Sequence, residues 1–297
     1  MHRLIENNGY KFILTGSSAR KLRKQGVNLL AGRALTRYMY PITICELSKN
    51  HDFDLNKLLQ YGTLPMSIYS KNPKEYLDSY INTYLEEEIK QEGFARNLSA
   101  FTRFLHIATF SQGSTINMSE IARECAIKRT TVLNYFSILE DLMIAQKLPV
   151  FTKRAKRRMT QHNKFYFFDV GVFKALKPKD LNNNNEQISG ICLETLVFQE
   201  LKAINDYFKL DYEIYYWRTS NGLEVDFILV KENSIIAIEV KYSKTISNKS
   251  LNGLKSFLSD YPEAKTFLVY MGDQEKYLGP DKKINAIPFA NFFEKLL

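Results

Sequence analysis

Leu223-Glu224-Val225-Asp226-Phe227-Ile228-Leu229-Val230 and, beyond a turn at Glu232-Asn233, Ile235-Ile236-Ala237-Ile238-Glu239-Val240-Lys241 are two short apolar runs rich in β-branched residues. Runs of this length bounded by turn residues predict two neighbouring buried strands. Side chains alternate along a strand, so Glu224, Asp226 and Ile228 fall on one face of the first and Glu239 and Lys241 on one face of the second. If the strands pair through the Glu232-Asn233 hairpin, Asp226 converges on Glu239 and Lys241. Two carboxylates and a lysine at one point suit metal-assisted phosphodiester hydrolysis. Asp226 and Glu239 would hold Mg²⁺ through oxygen, the ion would polarise the phosphate and activate water, and Lys241 would neutralise developing charge. Solvated charges on an exposed strand face would give the same pattern. Against that stands the apolar density of VDFILV and IIAIEV, where a charge without a partner is costly.

Outward from these strands the order is regular. Helix-like SGICLETLVFQELKAIN offers Glu194 as a third carboxylate, and strand-like YEIYYWRT and a turn at Ser220-Asn221-Gly222 precede the two runs. A helix around Ser250 to Ser259 and a strand TFLVYMG follow. The polar tract Asn182 to Asn185 breaks periodicity and reads as a linker, so a domain is expected over 188–297. Glu194, Asp226, Glu239 and Lys241 are its candidate catalytic residues.

Upstream, NMSEIARECAIKRTTVLNYFSILEDLMIAQ reads as two helices joined at Ile127. Ser119 is the expected cap of the first, with Ile121, Ala122 and Cys125 inward. On the second, Val132, Phe136, Leu139 and Met143 recur at helical spacing, while Lys128, Arg129 and Thr130 crowd its start. This is helix-turn-helix grammar, the second helix being the one that would enter a major groove. The β-rich pieces KLPVF and KFYFFD flank TKRAKRRMTQ, so Lys153, Arg154, Lys156, Arg157 and Arg158 sit where a winged helix places its wing. From Lys128 to Lys164 nine basic residues face two acidic ones, Glu140 and Asp141, a net +7 within a chain of net +9. Such a local excess is the footprint of a phosphate-backbone contact. A helical bundle with a basic loop, or a solvated basic face, are the alternatives. Earlier still, LNKLLQY, a helix opened by Pro73 over KEYLDSYINTYLEEEIKQ, and SAFTRFLHIATF predict a helical lid or connector. Within it Glu86, Glu87 and Glu88 splay about 100° apart on a helix and cannot converge on one ion.

The 297 residues carry 45% hydrophobic and 25% charged side chains, and no apolar run approaches the roughly 18 residues of a membrane span. MHRLIENNGYK lacks an apolar leader core, and the three cysteines form no CxxC pair, so a reducing cytoplasm and no membrane partner are expected. Lys11 to Leu14, closed by Thr15-Gly16-Ser17-Ser18, reads as a buried strand whose end carries polar groups into a site. So early a strand has no neighbours for a parallel sheet, which predicts a truncated domain or one completed by another chain.

GICLETLVFQEL, YYWRTSNGLEVDFILV and IIAIEVKYSK together closely resemble the C-terminal domain of unknown function in a large prokaryotic family of AAA-type ATPases, a domain similar to the PD-(D/E)xK nuclease superfamily. FILTGSSARKL resembles that family's sensor strand, LLAGRA its arginine-finger segment, and KFYFFDVGV the strand leading out of its winged helix. The resemblance implies a mixed α/β multidomain chain. Its parts would be an ATPase-core remnant over 1–50, a helical lid or connector over 51–115, a winged helix-turn-helix over 116–180 and a restriction-endonuclease-like α/β/α domain over 188–297. It also implies nucleotide-related roles for Ser17, Ser18 and Arg33. The chain departs from the family in lacking the P-loop G-x-x-x-x-G-K-[ST] and its acidic metal-binding strand, and in placing Glu224 before Asp226 where many members carry proline beside the aspartate.

The expected function is that of a DNA-associated protein with a nuclease-like C-terminal domain and Mg²⁺-dependent phosphodiester hydrolysis. The alternatives are a non-catalytic DNA-binding or assembly module and the remnant of a split or truncated ATPase. ATPase activity is not expected from this chain alone, and ATP becomes a cofactor only if the missing N-terminal segment is supplied. Expected partners are nucleic acid, DNA above all, a separate chain supplying the P-loop segment, and further copies of this chain.

Overall fold

A computed structural model describes residues 2–15, 35–49, 53–85, 87, 89, 97–153, 159, 162–178 and 185–296. The N-terminal part is helical: α1 (His2–Asn8), α2 (Ile44–Lys49), α3 (Leu55–Tyr61), α4 (Pro65–Tyr69) and α5 (Pro73–Ser79). Pro73 stands at the first position of α5 and Asn72 caps it, the Glu75 N–H donating to Asn72 Oδ1. Where one long helix was expected after Pro73, the chain passes into a π-helical stretch, Tyr80–Leu85. Lys11 to Leu14 is not a buried strand. It has no regular structure, and Ile13 is 93% exposed. Without a partner strand among the described residues, its N–H and C=O groups have no ladder to join.

The middle of the chain runs α6 (Leu98–Ala108), β1 (Ser114–Thr115), α7 (Met118–Glu124), α8 (Arg129–Asp141), β2 (Ala145–Leu148), β3 (Lys164–Phe167) and α9 (Val170–Leu176). Its three strands form an antiparallel sheet in the order β1-β3-β2. Asn117, not Ser119, caps α7, its Oδ1 accepting the Glu120 N–H. Val132, Phe136 and Leu139 are buried as the helical spacing predicts, and Tyr135 and Ile138 join them. Met143 does not, because α8 has ended and the residue turns outward at φ 57°.

The C-terminal part is α10 (Asn185–Tyr207), β4 (Glu213–Arg218), β5 (Glu224–Lys231), β6 (Ser234–Lys241), α11 (Asn252–Asp260), β7 (Lys265–Tyr270), β8 (Lys276–Leu278), β9 (Ile284–Pro288) and α12 (Phe289–Leu296). Asn185, expected in a linker, is thus the first residue of the 23-residue α10, and β8, β9 and α12 extend the order beyond the predicted one. The six strands order as β4-β5-β6-β7-β9-β8, antiparallel at both ends and parallel from β6 through β7 to β9. Apolar side chains cover both faces. Phe227, Leu229, Ile236 and Ile238 pack with residues of α10 and α12, whereas Ile228, Val230 and Ala237 pack with Leu254 and Phe257 of α11. The first of these clusters continues without a break into the middle part and the N-terminal helices. Among the described residues no helix is long and apolar enough to cross a membrane, and Cys45, Cys125 and Cys192 are all free.

Candidate functional site

The β5–β6 ladder runs from Lys231–Ser234 to Phe227–Ile238 and stops there. One residue beyond, backbone pairing gives way to a side chain: Asp226 Oδ2 accepts the Val240 N–H at 2.8 Å. The ladder between β4 and β5 is irregular at the same level, Tyr215 facing Ile228 while Trp217 faces Val225, so β5 carries an extra residue opposite Tyr216. That bulge overturns the strict alternation expected here. Ile228 packs in the α11 cluster, whereas Asp226 reaches Lys164 and Phe227 stacks on Phe198 of α10 at 5.6 Å. A bulge of this kind re-aims side chains at a strand end, the sort of place where sites are built.

Asp226, Glu239, Lys241 and Glu194 do come together. Lys241 Nζ lies 2.5 Å from Glu239 Oε1 and is the most exposed of the four, its side chain 37% open. Burial pushes the Glu239 carboxyl up to about 8, with repulsion from Asp226 adding to it and Lys241 opposing it. Glu194 is pushed up to about 7, first by burial and then by Asp226, against the pull of Lys164 and Tyr166. Burial pulls the Lys241 ammonium down, but Glu239 and Asp226 outweigh it and hold its proton more tightly than usual.

Two residues of β3 complete the cluster, and sequence reasoning missed both. Lys164, 1% exposed, sets its ammonium 3.0 Å from Glu194 Oε1 and 3.7 Å from Asp226 Oδ1, in direct contact with the Glu224 carboxylate and over the Tyr216 ring. Tyr166 donates its hydroxyl to Glu194 Oε1 at 2.5 Å. Arg218 Nη1 braces Glu224 from outside at 3.1 Å. A lysine at the head of KFYF, whose other side chains are all aromatic, was the available signal: such a strand is buried, and a cation in it needs anions. The middle part is locked to α10 beside this point. Gln112 donates to Thr195 Oγ1 and accepts the Phe167 N–H, both at 2.8 Å.

The arrangement does not fit the Mg²⁺ expected at Asp226 and Glu239. Among the described residues no three Asp, Glu, His or Cys side chains are grouped so as to hold a metal ion. One Asp226 oxygen is committed to Val240, and the Lys164 ammonium lies where the carboxylates converge. A single feature favours a further cation: Glu239 Oε2 is buried with no hydrogen-bond partner among the described residues.

Of the residues expected to touch DNA, Lys128, Arg129 and Thr130 are exposed at the start of α8. Lys153 is instead engaged by β4, paired with Glu213 at 2.7 Å and lying over the Tyr215 ring. Arg154, Lys156, Arg157 and Arg158, like Ser17, Ser18 and Arg33, lie outside the described residues.

Residues 52–187 match the family described as domain of unknown function (DUF8612), and residues 189–292 the one described as domain of unknown function (DUF4143). The uncharacterized protein Rv2008c of Mycobacterium tuberculosis is 24% identical over 268 residues, covering 89% of this chain and 59% of that protein. MJ1544 of Methanocaldococcus jannaschii, also uncharacterized, is 24% identical over 271 residues, 83% of this chain and 58% of its own. The chain therefore spans about three-fifths of the length of the curated relatives it matches. Protein VC1899 from Vibrio cholerae is 16% identical with a TM-score of 0.28, over 73% of this chain and 54% of that one, a score too low to relate the two folds.

Proposed function

We propose that the chain is a DNA-associated protein, related to AAA-type ATPases, whose C-terminal domain is nuclease-like and directs Asp226, Glu239, Lys241 and Glu194 at a phosphodiester. One observation carries this reading: these four side chains meet where the β5–β6 ladder ends, on the only stretch of those strands where charged groups are buried. Lys241, the most open of them, is the group an incoming phosphate would meet first, and its charge is kept by Glu239 until a phosphate oxygen competes for it. The start of α8, with Lys128 and Arg129 in solvent, supplies the nucleic-acid contact in this reading. In this reading Asp226 and Glu239 would hold Mg²⁺, which would polarise the phosphate, only with Lys164 drawn away from Asp226. ATP would be bound only with the P-loop segment supplied by a further chain.

The test is cleavage of single- and double-stranded DNA and RNA panels with Mg²⁺ or Mn²⁺. Activity that disappears in both Asp226→Asn and Lys241→Ala supports the reading, and activity that survives Asp226→Asn refutes it. A second reading, a DNA-binding or assembly module without catalysis, is favoured by Lys164 itself, since a cluster neutralised from within needs no metal. Retention of DNA with no cleavage under any divalent ion would establish that one instead.

A further inference from the structure

One edge of the three-stranded sheet is β2 and one edge of the six-stranded sheet is β4, and these two edges lie beside each other. They are joined just past the end of β2, where the Tyr216 N–H donates to the Pro149 carbonyl at 3.0 Å and the Phe151 N–H to the Tyr216 carbonyl at 2.7 Å. Nearer their starts the two strands are unpaired, and a crevice of about 260 Å³ separates Gln146–Leu148 from Tyr212–Ile214, with Phe198 and Lys202 of α10 also lining it. Asn205 fixes the second wall, donating to the Tyr212 carbonyl and accepting the Tyr212 N–H, both at 2.9 Å. The crevice is thus fastened at both ends, and a ligand can enter it without unpairing either sheet. It is separate from the carboxylate cluster, since Lys202 lies about 12 Å further along α10 than Glu194.

The charges around the crevice are paired except for one. Lys147 lies 2.5 Å from Glu140 of α8, and Glu213, the carboxylate in the lining, is held by Lys153 at 2.7 Å. Lys202 has neither a hydrogen bond nor an ion pair among the described residues. Burial pulls its ammonium below the ordinary lysine value, and Asp206, exposed on the next turn, opposes this without cancelling it. A half-buried cation that has lost water without gaining an anion is a cost that an anionic ligand removes. The sheet edges on either side add rows of backbone N–H and C=O groups that no ladder uses, and sheet edges of this kind form anion-binding concavities. Phosphate suits both features. Its oxygens accept from an ammonium and from edge N–H groups, and near neutral pH it still carries a proton to donate to an edge carbonyl, which sulfate lacks. We infer that the crevice between the β2 and β4 edges is a phosphate site with Lys202 as its cationic anchor. The site is independent of the chemistry proposed at Asp226, and a protein that cleaves nothing would hold phosphate there equally well.

The experiment is equilibrium dialysis of the full chain against radiolabelled inorganic phosphate near neutral pH. Lys202→Met removes the anchor and should weaken binding at least about tenfold, the loss of one hydrogen bond to a charged group. Glu140→Gln frees the Lys147 ammonium on the opposite wall and should tighten binding several-fold. Lys249→Met removes an exposed lysine outside the crevice and should change binding by less than about twofold. Sulfate should compete far more weakly than unlabelled phosphate. Two further competitors identify the source of the phosphate: a dinucleotide with a terminal phosphate, and the same dinucleotide without it. If the first displaces the label at lower concentration than phosphate itself and the second does not displace it, the natural ligand is a nucleic-acid end; if the first is no better than phosphate, it is the free ion. Should Lys202→Met not fold, Glu140→Gln decides alone. Undetectable phosphate binding by wild type, equal binding by wild type and Lys202→Met, no gain in Glu140→Gln, or sulfate competing as well as phosphate overturns the site.

Discussion

Glu200 provides a sharp test of how the α10 interior is built. Its side chain is wholly buried; Oε1 accepts the Ile44 N–H at 2.7 Å, and Oε2 has no partner among the described residues. Burial pushes its carboxyl from 4.5 up to about 8, with the Ile44 N–H opposing and Glu46 adding to the rise. Between those two values the folded protein holds a proton that the unfolded chain has released, so stability must fall as pH rises. The contribution is fully present below about pH 4.5 and is gone above about pH 8. Each pH unit inside the window costs about 1.4 kcal/mol, on the order of 5 kcal/mol in all. Glu200→Gln keeps an oxygen for Ile44 and cannot ionise. Urea unfolding of wild type and Glu200→Gln at intervals from pH 5 to pH 9 isolates this group, since other titrations appear in both proteins. The two should be within about 1 kcal/mol of each other at pH 5 and diverge steadily, the variant becoming the more stable by several kcal/mol at pH 9. A pH-independent difference would refute the argument.

Gly253→Ala should loosen the site from behind: a Cβ there would lie 1.9 Å from the Glu224 carbonyl oxygen, so α11 must shift off β5 at a cost of about 1–3 kcal/mol, read as a lower urea midpoint. For DNA binding, replacing Lys128 and Arg129 together by Ala should flatten the slope of log K against log salt by about two, whereas Lys153→Ala should leave it nearly unchanged because that ammonium is held by Glu213. Equal effects from the two substitutions would mean that the start of α8 is not the contact.

What could be read in the sequence was what depends on local repetition. The apolar runs around Asp226 and Glu239, the buried face Val132, Phe136 and Leu139, and the helix opened at Pro73 all follow from periods of two or 3.6 and from capping chemistry. What escaped depends on partners far along the chain. The bulge opposite Tyr216 has no residue signature in Val225-Asp226-Phe227, and the role of Lys164 is set by Glu194, Glu224 and Asp226, the nearest of them thirty positions away. Lys11 to Leu14 failed for the converse reason: an apolar tetrapeptide predicts a strand only where a neighbouring strand exists to pair with it. Lys153, counted with the free basic residues, is drawn to β4 by a glutamate sixty positions away.

The run of α10 bears on how this chain can be divided. Over its 23 residues, about 35 Å, it carries Glu194 to Lys164, Thr195 to Gln112, Gln199 to Thr63 and Glu200 to Ile44, so that one helix is the shared wall of every part described. The two family matches meet at residues 187 and 189, in the first turn of that helix, so the border leaves almost all of α10 with the second match and its partners Lys164, Gln112 and Thr63 with the first. Cutting there would not release two proteins. The upstream fragment would bare Lys164 and the apolar surface that α10 covers, and the downstream one would keep the carboxylates without their counterion. Each half is the other's solvent shield, and a gene that kept only one of them would encode a polypeptide prone to clump rather than a smaller working unit.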